Sequence, residues 1–408
     1  MFDVCVEKGA LMKALNYLEC AVNKDNPYLM MGMDSNGILE MFTTDFVHTA
    51  RISLITSSKC QNETCPLVNF KMFKSIVSTI PDIEFVTIKH SGHVEISYGI
   101  HKPVRLNPIF NVNRPVFNRN FSPQQADNIA YVPSNIVLNT VKNAYKVTDI
   151  KGGYQVLSCV KIETDGYDVS SIAYNDEDKC IFYSVDKSPD LNSNAQFLLE
   201  PSSTLKVISC IAPFFDTVVL SQTASTLRIS STSLKGTSPW YCSIDYFISR
   251  LNSSHPMNIT KIKGALPVEF AKLSTSDFKE TISRVKAIQE KITANSLPRY
   301  ATVNVNSDVM SIKYSSSFGE IDEDIILDNT VSTNFSAAFN PDTVSKIVDL
   351  ISSNAVHSEK VYIGKTTQGN NYVISNILPT SSTDEILADT QTFVVAGMTQ
   401  NTQQVQNP

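Results

Sequence analysis

Three carboxylates in the last third of the chain have the spacing of a possible metal site. Glu320, Asp322 and Asp324 occupy alternate positions, so on a β-strand they would share one face, and carboxylate clusters of this kind can hold Mg²⁺. The isoleucines at 321, 325 and 326 favour an ordinary strand with one wet face, where acidic residues are the usual occupants. A metal-dependent enzyme is therefore kept only as an alternative interpretation.

Other residue types that support catalysis are not arranged for it. His90 and His93 flank Ser91-Gly92, which reads as a hairpin turn between two strands. The eight cysteines occur singly, without a Cys-x-x-Cys pair, and are interpreted as reduced core thiols. The sequence contains no Walker loop, Gly-x-Gly-x-x-Gly, Gly-x-Ser-x-Gly or His-Glu-x-x-His motif. We predict no catalytic residue, no metal site and no cofactor.

Length and composition set the scale of the fold that must position any functional residue. A chain of 408 residues is too long for one ordinary core and suggests two or three domains. No apolar run approaches the roughly 20 residues of a membrane span, so we expect a cytoplasmic protein without membrane contact. The net charge of −6 argues against a surface coated by nucleic acid, but it leaves room for a local basic surface.

The sequence repeats one pattern of elements three times. Amphipathic helices are predicted to start near residues 8, 134 and 275, and second helices near residues 70, 202 and 341. The intervals between the two helices are 62, 68 and 66 residues. Alternating strands follow each helix. We therefore predict an α+β fold of three repeated domains, each with two helices packed on antiparallel sheets.

Polar segments next to prolines separate the three repeats. The predicted domains are residues 1–122, 123–256 and 257–398, called here the first, second and third repeats. Residues 399–408 are rich in Gln and Asn and are predicted to form a disordered tail.

The predicted helices carry the positive charge of the chain. Together they hold twelve Lys or Arg and six Asp or Glu, although the whole chain is acidic. On helical wheels the basic residues lie away from the apolar stripe. They are either ordinary solvated lysines or a surface that contacts DNA phosphates without reading the base sequence. The predicted DNA-binding residues are Lys13, Lys71, Lys74, Lys142, Lys146, Lys206, Arg284 and Lys291.

The ordered set of segments resembles the beta-type sliding clamp of bacterial DNA polymerase III. The resemblance is clearest in the third repeat, in Phe278–Ile292, in Glu320-Ile-Asp-Glu-Asp-Ile-Ile-Leu and in the terminal Phe393-Val-Val-Ala-Gly-Met. The first repeat adds a strand that ends in Thr44-Asp45. The resemblance implies a head-to-tail homodimer that closes into a ring, with helices around double-stranded DNA and sheets outside.

The same resemblance implies that DNA polymerase and the clamp loader insert short, largely apolar peptides between the second and third repeats. Carried over by position, one wall of this cleft is Val394, Val395, Ala396, Gly397 and Met398. The other wall contains Tyr174, with Lys179 for the arginine and Cys180 for the leucine of the family's Gly-His-Arg-Leu, which is absent here. Plain core packing of the Val394 strand is the other interpretation.

The predicted function is a processivity factor that encircles duplex DNA independently of sequence and has no active site of its own. A clamp-fold scaffold that binds partners without encircling DNA is the second interpretation. The lysines retained in the helices argue against that scaffold.

Overall fold

Six α-helices and one short 3₁₀ helix (Glu19–Ala21) occur in the part of the chain that the structure describes. This computed structural model describes residues 2–33, 37–56, 66–81, 85–110, 126–148, 158–175, 180–188, 193–213, 215–231, 241–249, 266–267, 269–289, 300–354, 357–366, 371–378 and 390–395. The helices are α1 (Lys8–Leu18), α2 (Phe70–Thr79), α3 (Ser134–Val147), α4 (Pro201–Ile211), α5 (Thr275–Ala287) and α6 (Pro341–Ser352). They start where the sequence predicted. The segment Phe278–Ile292, which carries part of the family resemblance, is helical only as far as Ala287, and Ile292 lies outside the described residues.

Amphipathic patterning and local caps explain why these segments are helical. The predicted apolar stripes are buried: Leu11 and Leu15 on α1, Val141 on α3, and Phe278 and Ile282 on α5. Burial of this stripe, more than intrinsic propensity, stabilises a short helix in a protein.

Side chains at the N-termini satisfy backbone donors that the helices leave unpaired. The Glu7 carboxylate accepts from the N–H groups of Gly9 and Ala10 at the start of α1. Asn69 and Asn340 cap α2 and α6 in the same way. These caps fix where each helix begins, and each contributes roughly 1 kcal/mol.

Two eight-stranded antiparallel sheets combine strands from neighbouring repeats. The first has the order β5 (Leu67–Asn69), β2 (Tyr28–Met33), β3 (Ile38–Thr44), β4 (His48–Ile55), β16 (Tyr241–Ser249), β15 (Thr226–Ser231), β14 (Thr217–Gln222) and β9 (Asn128–Pro133). The second has the order β13 (Ala195–Leu199), β10 (Val160–Asp165), β11 (Asp168–Asn175), β12 (Cys180–Lys187), β22 (Thr390–Val395), β21 (Tyr372–Ser375), β20 (Lys360–Lys365) and β17 (Ala271–Ser274).

We call the β4–β16 pair the first seam and the β12–β22 pair the second seam. Each seam joins four strands of one repeat to four strands of the next. The repeats are therefore connected by backbone hydrogen bonds and not only by side-chain packing.

The remaining strands form two smaller sheets. One has the order β1 (Phe2–Glu7), β6 (Phe85–His90), β7 (Val94–Ser97) and β8 (Val104–Leu106), and the other is the pair β18 (Ala301–Ser316) and β19 (Gly319–Phe339). The alternating strands predicted after the first helix of the third repeat form one long two-stranded ribbon here. Its pairing shifts on both sides of Ser307, which has a φ of 56°, so a bulge-like irregularity interrupts the register without ending the ribbon.

The α+β prediction is confirmed by these helices and antiparallel sheets. The chain forms two compact units: residues 1–139, 191–197 and 202–252 in one, and residues 140–190, 198–201 and 253–408 in the other. This division cuts through the second repeat, because its strands contribute to both eight-stranded sheets. The division into three domains stays a prediction.

Candidate nucleic-acid interface and partner groove

The helices of the first repeat present lysines on the side opposite their apolar stripe. Lys13 on α1 and Lys71 on α2 are exposed, whereas Lys74 is half-buried. The Lys74 ammonium lies 2.7 Å from the carboxylate of Glu19, which follows α1. This surface pair offsets one positive charge of the two helices.

The helices of the second repeat contain no acidic residue. Lys142 and Lys146 on α3 and Lys206 on α4 are exposed. Among the described residues, none of these three lysines has a carboxylate within ion-pair distance. Their ammonium groups face solvent and are available to a diffusible polyanion.

The third repeat neutralises its basic helix internally. The Arg284 guanidinium on α5 donates two hydrogen bonds of 2.7 Å to the Glu323 carboxylate of β19. The Arg284 hydrogen bond holds the pKa of Glu323 below its ordinary value of 4.5. Glu280 lies 3.7 Å away on the same helix. The charge of Arg284 is thus directed at two carboxylates of its own chain.

The other bases of α5 also have acidic partners. Lys279 lies 2.9 Å from Asp349, and Lys286 lies 3.3 Å from Asp342, both on α6. Lys291, the remaining predicted DNA-binding residue, lies outside the described residues.

The second seam brings together the two predicted walls of the partner cleft. Strand register places Tyr174 beside Ile181 and Ile181 beside Val394, while Cys180 pairs with Val395. Two neighbouring rows across these strands therefore contain four of the predicted cleft residues, which are Tyr174, Cys180, Val394 and Val395. Lys179, Ala396, Gly397 and Met398 lie outside the described residues.

Alternation along the strands divides these two rows between the two faces of the sheet. On the face of Tyr174 and Ile181, a buried apolar cluster is formed by Ile172, Tyr183, Val185, Phe270 and Val373. Ile181, Leu266 and Tyr362 pack against it and are only partly buried. We call this surface the groove face; a partly exposed apolar strip of this kind can take side chains of an extended peptide.

Cys180 belongs to the opposite face. It is 2% exposed, and its row continues through Val395 to Tyr372. Burial raises the pKa of the Tyr372 hydroxyl well above its ordinary value, and Cys180 raises it further. Among the described residues, the Tyr372 hydroxyl has no hydrogen-bond partner. The register thus places Ile181, which the sequence interpretation passed over, on the groove face.

The first seam occupies the corresponding place in the other eight-stranded sheet but has different chemistry. Asp245 on β16 is fully buried, and its carboxylate accepts from the guanidinium groups of Arg51 and Arg228 at 2.5 to 2.9 Å. When the two eight-stranded sheets are matched strand by strand, β4 corresponds to β12 and β15 corresponds to β21. Arg51 then takes the place of Tyr183, and Arg228 takes the place of Val373, both of which lie on the groove face. An ion cluster therefore fills the strip that is apolar at the second seam.

The acidic residues considered for an enzyme lie on the β18–β19 ribbon. Asp322 pairs with Lys313 at 2.7 Å, and Asp324 and Glu320 accept from Ser311 and Ser315. The described residues contain no group of three or more His, Cys, Asp or Glu suited to a metal ion. Across that same portion, no helix is long and apolar enough to cross a membrane.

Comparison with known proteins gives a fold but no sequence match. No family model matches the chain, and no curated protein matches it. The structure is similar to the DNA polymerase III subunit beta from Pseudomonas aeruginosa, with a TM-score of 0.74 and 11% identity over 97% of this chain and 100% of that one.

Two further solved structures give the same result. The beta subunit from DNA polymerase of Streptococcus pyogenes has a TM-score of 0.71 and 13% identity, covering 97% of this chain and 100% of that one. The Helicobacter pylori beta clamp in complex with 3,4-difluorobenzamide has a TM-score of 0.72 and 13% identity, with coverage of 98% and 100%. The chain has the fold of these beta-type clamps over nearly its whole length.

Proposed function

We propose that this chain is a DNA sliding clamp, a processivity factor that encircles duplex DNA and tethers a replicative polymerase. The observation that carries the proposal is the clamp fold over 97% of the chain together with exposed lysines on helices α1 to α4. Such a surface attracts phosphates and has no element that reads base edges, so it suits sequence-independent contact. The clamp itself performs no chemistry in this proposal.

Two chains form the proposed ring, joined head to tail. In the described part of the chain, β8 ends its sheet and has a strand partner on one side only, and the β18–β19 ribbon is not extended by a third strand. Contact between the first repeat of one chain and the third repeat of the next would cover these edges, and a two-fold axis closes such a contact.

The groove face is the proposed site for a peptide of the polymerase or of the clamp loader. Its partly exposed residues Ile181, Leu266 and Tyr362 pack against the buried apolar cluster. The Lys272 ammonium lies 6.0 Å from the centre of the Tyr362 ring, so a basic group lies beside this apolar surface. A short, largely apolar peptide with an acidic residue would fit this chemistry.

Retention on circular DNA tests the encircling function. The chain is loaded onto a nicked plasmid by the clamp loader of its own replication system and separated from free protein by gel filtration. We expect the protein to stay on the circle and to be lost when one restriction cut makes the DNA linear, because a ring slides off a free end. Equal loss from circular and linear DNA would contradict the proposal and favour the scaffold that does not encircle DNA.

A further inference from the structure

We infer that DNA contact is divided unequally among the repeats: helices α1 to α4 of the first two repeats carry it, and helices α5 and α6 of the third do not. The inference rests on the proposed function and adds which residues of the surface contact phosphates.

The charge carried by the two groups of helices differs. Helices α1 to α4 contain no acidic residue, and they carry Lys8, Lys13, Lys71, Lys74, Lys142, Lys146 and Lys206. Three acids lie directly next to their ends: Glu7 and Glu19 at α1 and Glu200 at α4. Helices α5 and α6 carry four bases and four acids, which are Lys279, Arg284, Lys286, Lys346, Asp277, Glu280, Asp342 and Asp349. The first group attracts a polyanion, whereas the second has no net charge.

Contacts within the third repeat strengthen the contrast. Lys279 and Lys286 point at carboxylates on α6, at 2.9 Å and 3.3 Å. Arg284 is held by a two-point contact with Glu323, which comes from a strand and not from the helices. A phosphate that approached Arg284 would have to displace Glu323 and would then lie beside Glu280 and Glu323, so like charges oppose the exchange.

Geometry within the second repeat favours contact. Lys142 and Lys146 are four residues apart on α3, so they lie on one side of the helix, about 6 Å apart along its axis. Both are exposed, and no described carboxylate pairs with them. Neighbouring phosphates on one DNA strand are separated by a similar distance, so both ammonium groups can be neutralised by one strand at once.

The salt dependence of DNA binding tests the inference, because its slope counts the phosphates neutralised. Binding of a fluorescent DNA duplex is measured by anisotropy across a range of KCl concentrations. The variants are Lys142→Ala/Lys146→Ala and, as the matched control, Lys279→Ala/Arg284→Ala. We expect the first variant to flatten the plot of log K against log salt by about 1.8 units for each chain of the ring that contacts the duplex, about 0.9 for each lost contact. We expect the second variant to leave the slope unchanged.

A third variant tests the masking of Arg284 directly. Glu323→Gln removes the charge opposite Arg284 and keeps the shape of the side chain, so we expect tighter DNA binding and a slope about 0.9 units steeper. An unchanged slope would remove the role given to Glu323. Circular dichroism and sedimentation are measured for each variant as controls, and we expect the fold and the mass to be unchanged.

Two further outcomes separate the inference from the proposed function. If the Lys279→Ala/Arg284→Ala variant flattens the slope as much as the Lys142→Ala/Lys146→Ala variant, the unequal division is wrong, while DNA binding stands. If the unaltered protein shows no salt-dependent binding to the duplex and no retention on circular DNA, the proposed function itself fails.

Discussion

At the scale of single residues, the carboxylate of Asp245 organises the first seam. It lies opposite Arg51 in the β4–β16 register and also accepts from Arg228. The backbone carbonyl of the same residue accepts a 2.7 Å hydrogen bond from the buried Tyr17 hydroxyl of α1. Asp245 thus ties three elements to one point of the first seam: β4 through Arg51, β15 through Arg228 and α1 through Tyr17.

Replacing Asp245 by Ala should destabilise the protein by about 3–5 kcal/mol, because two guanidinium groups would be left without their buried partner. The matched control is Arg105→Ala, which removes a pair with Glu95 whose arginine is 64% exposed, and it should cost less than about 1 kcal/mol. Urea unfolding followed by circular dichroism measures both. Similar midpoints for the two variants would show that the buried cluster contributes no more than a surface pair.

At the scale of the strands, the alternation of β12 separates a position on the proposed peptide site from a position on the opposite, buried face. Ile181 lies on the groove face next to Tyr174, whereas Cys180 is buried on the opposite face. The two neighbours along the chain therefore serve as a matched pair for locating the partner site.

Replacing Ile181 by Ala should weaken binding of a peptide from the cognate polymerase by about 1–2 kcal/mol, since an anchor side chain would be lost. Replacing Cys180 by Ala should leave the affinity unchanged, because that position does not face the groove. Isothermal titration of the peptide against both variants and the unaltered protein makes the comparison. A larger loss in the Cys180 variant would place the peptide on the other face or elsewhere.

Local sequence patterns predicted the helices well because each helix has its own amphipathic stripe. The positions of Leu11, Val141 and Phe278 on buried faces follow from spacing within a single element. The first seam was not predicted, since the pairing of β4 with β16 joins residues that are 194 apart, as Arg51 and Asp245 are. Strand alternation identifies two faces, but it does not say which distant strand lies alongside.

The same limit applies to the candidate sites: features within a single element could be predicted from the sequence, whereas contacts between distant elements could not. Exposure of Lys13, Lys71 and Lys142 follows from the helical wheel. The partners of Arg284 could not be predicted, because Glu323 comes from a strand 39 residues away along the chain. For the groove, the spacing of Ile172, Tyr174, Ile181 and Tyr183 at alternate positions was the available signal for an apolar strip, and the resemblance directed attention to Cys180 instead.

At the scale of the whole molecule, the proposed ring would use strand edges that have no further strand partner in the described part of the chain. β8 lies at the end of its sheet, and its Val104 is 38% exposed. An edge with exposed apolar residues is a ready template for a strand of another chain.

Replacing Val104 by Lys should prevent this pairing, because a charged side chain at the edge opposes strand addition. We expect the particle mass to fall from about 90 kDa for two chains, twice 45.1 kDa, to that of one chain. The control is Tyr167→Lys, which alters an exposed residue in the turn between β10 and β11 and should leave the mass unchanged. Sedimentation velocity at micromolar concentration measures all three proteins; a dimer of the Val104 variant would place the contact at another edge.

The sharing of each large sheet between neighbouring repeats has a consequence for inheritance. The strands of the second repeat pair with β4 on one side and with β22 on the other. A gene rearrangement that replaced one repeat by a copy of another would therefore break matched pairs at a seam, such as Arg51 with Asp245. We expect selection against such exchanges to let the repeats diverge in sequence while each stays matched to its neighbours, so that the order of the elements outlasts the likeness of the repeats.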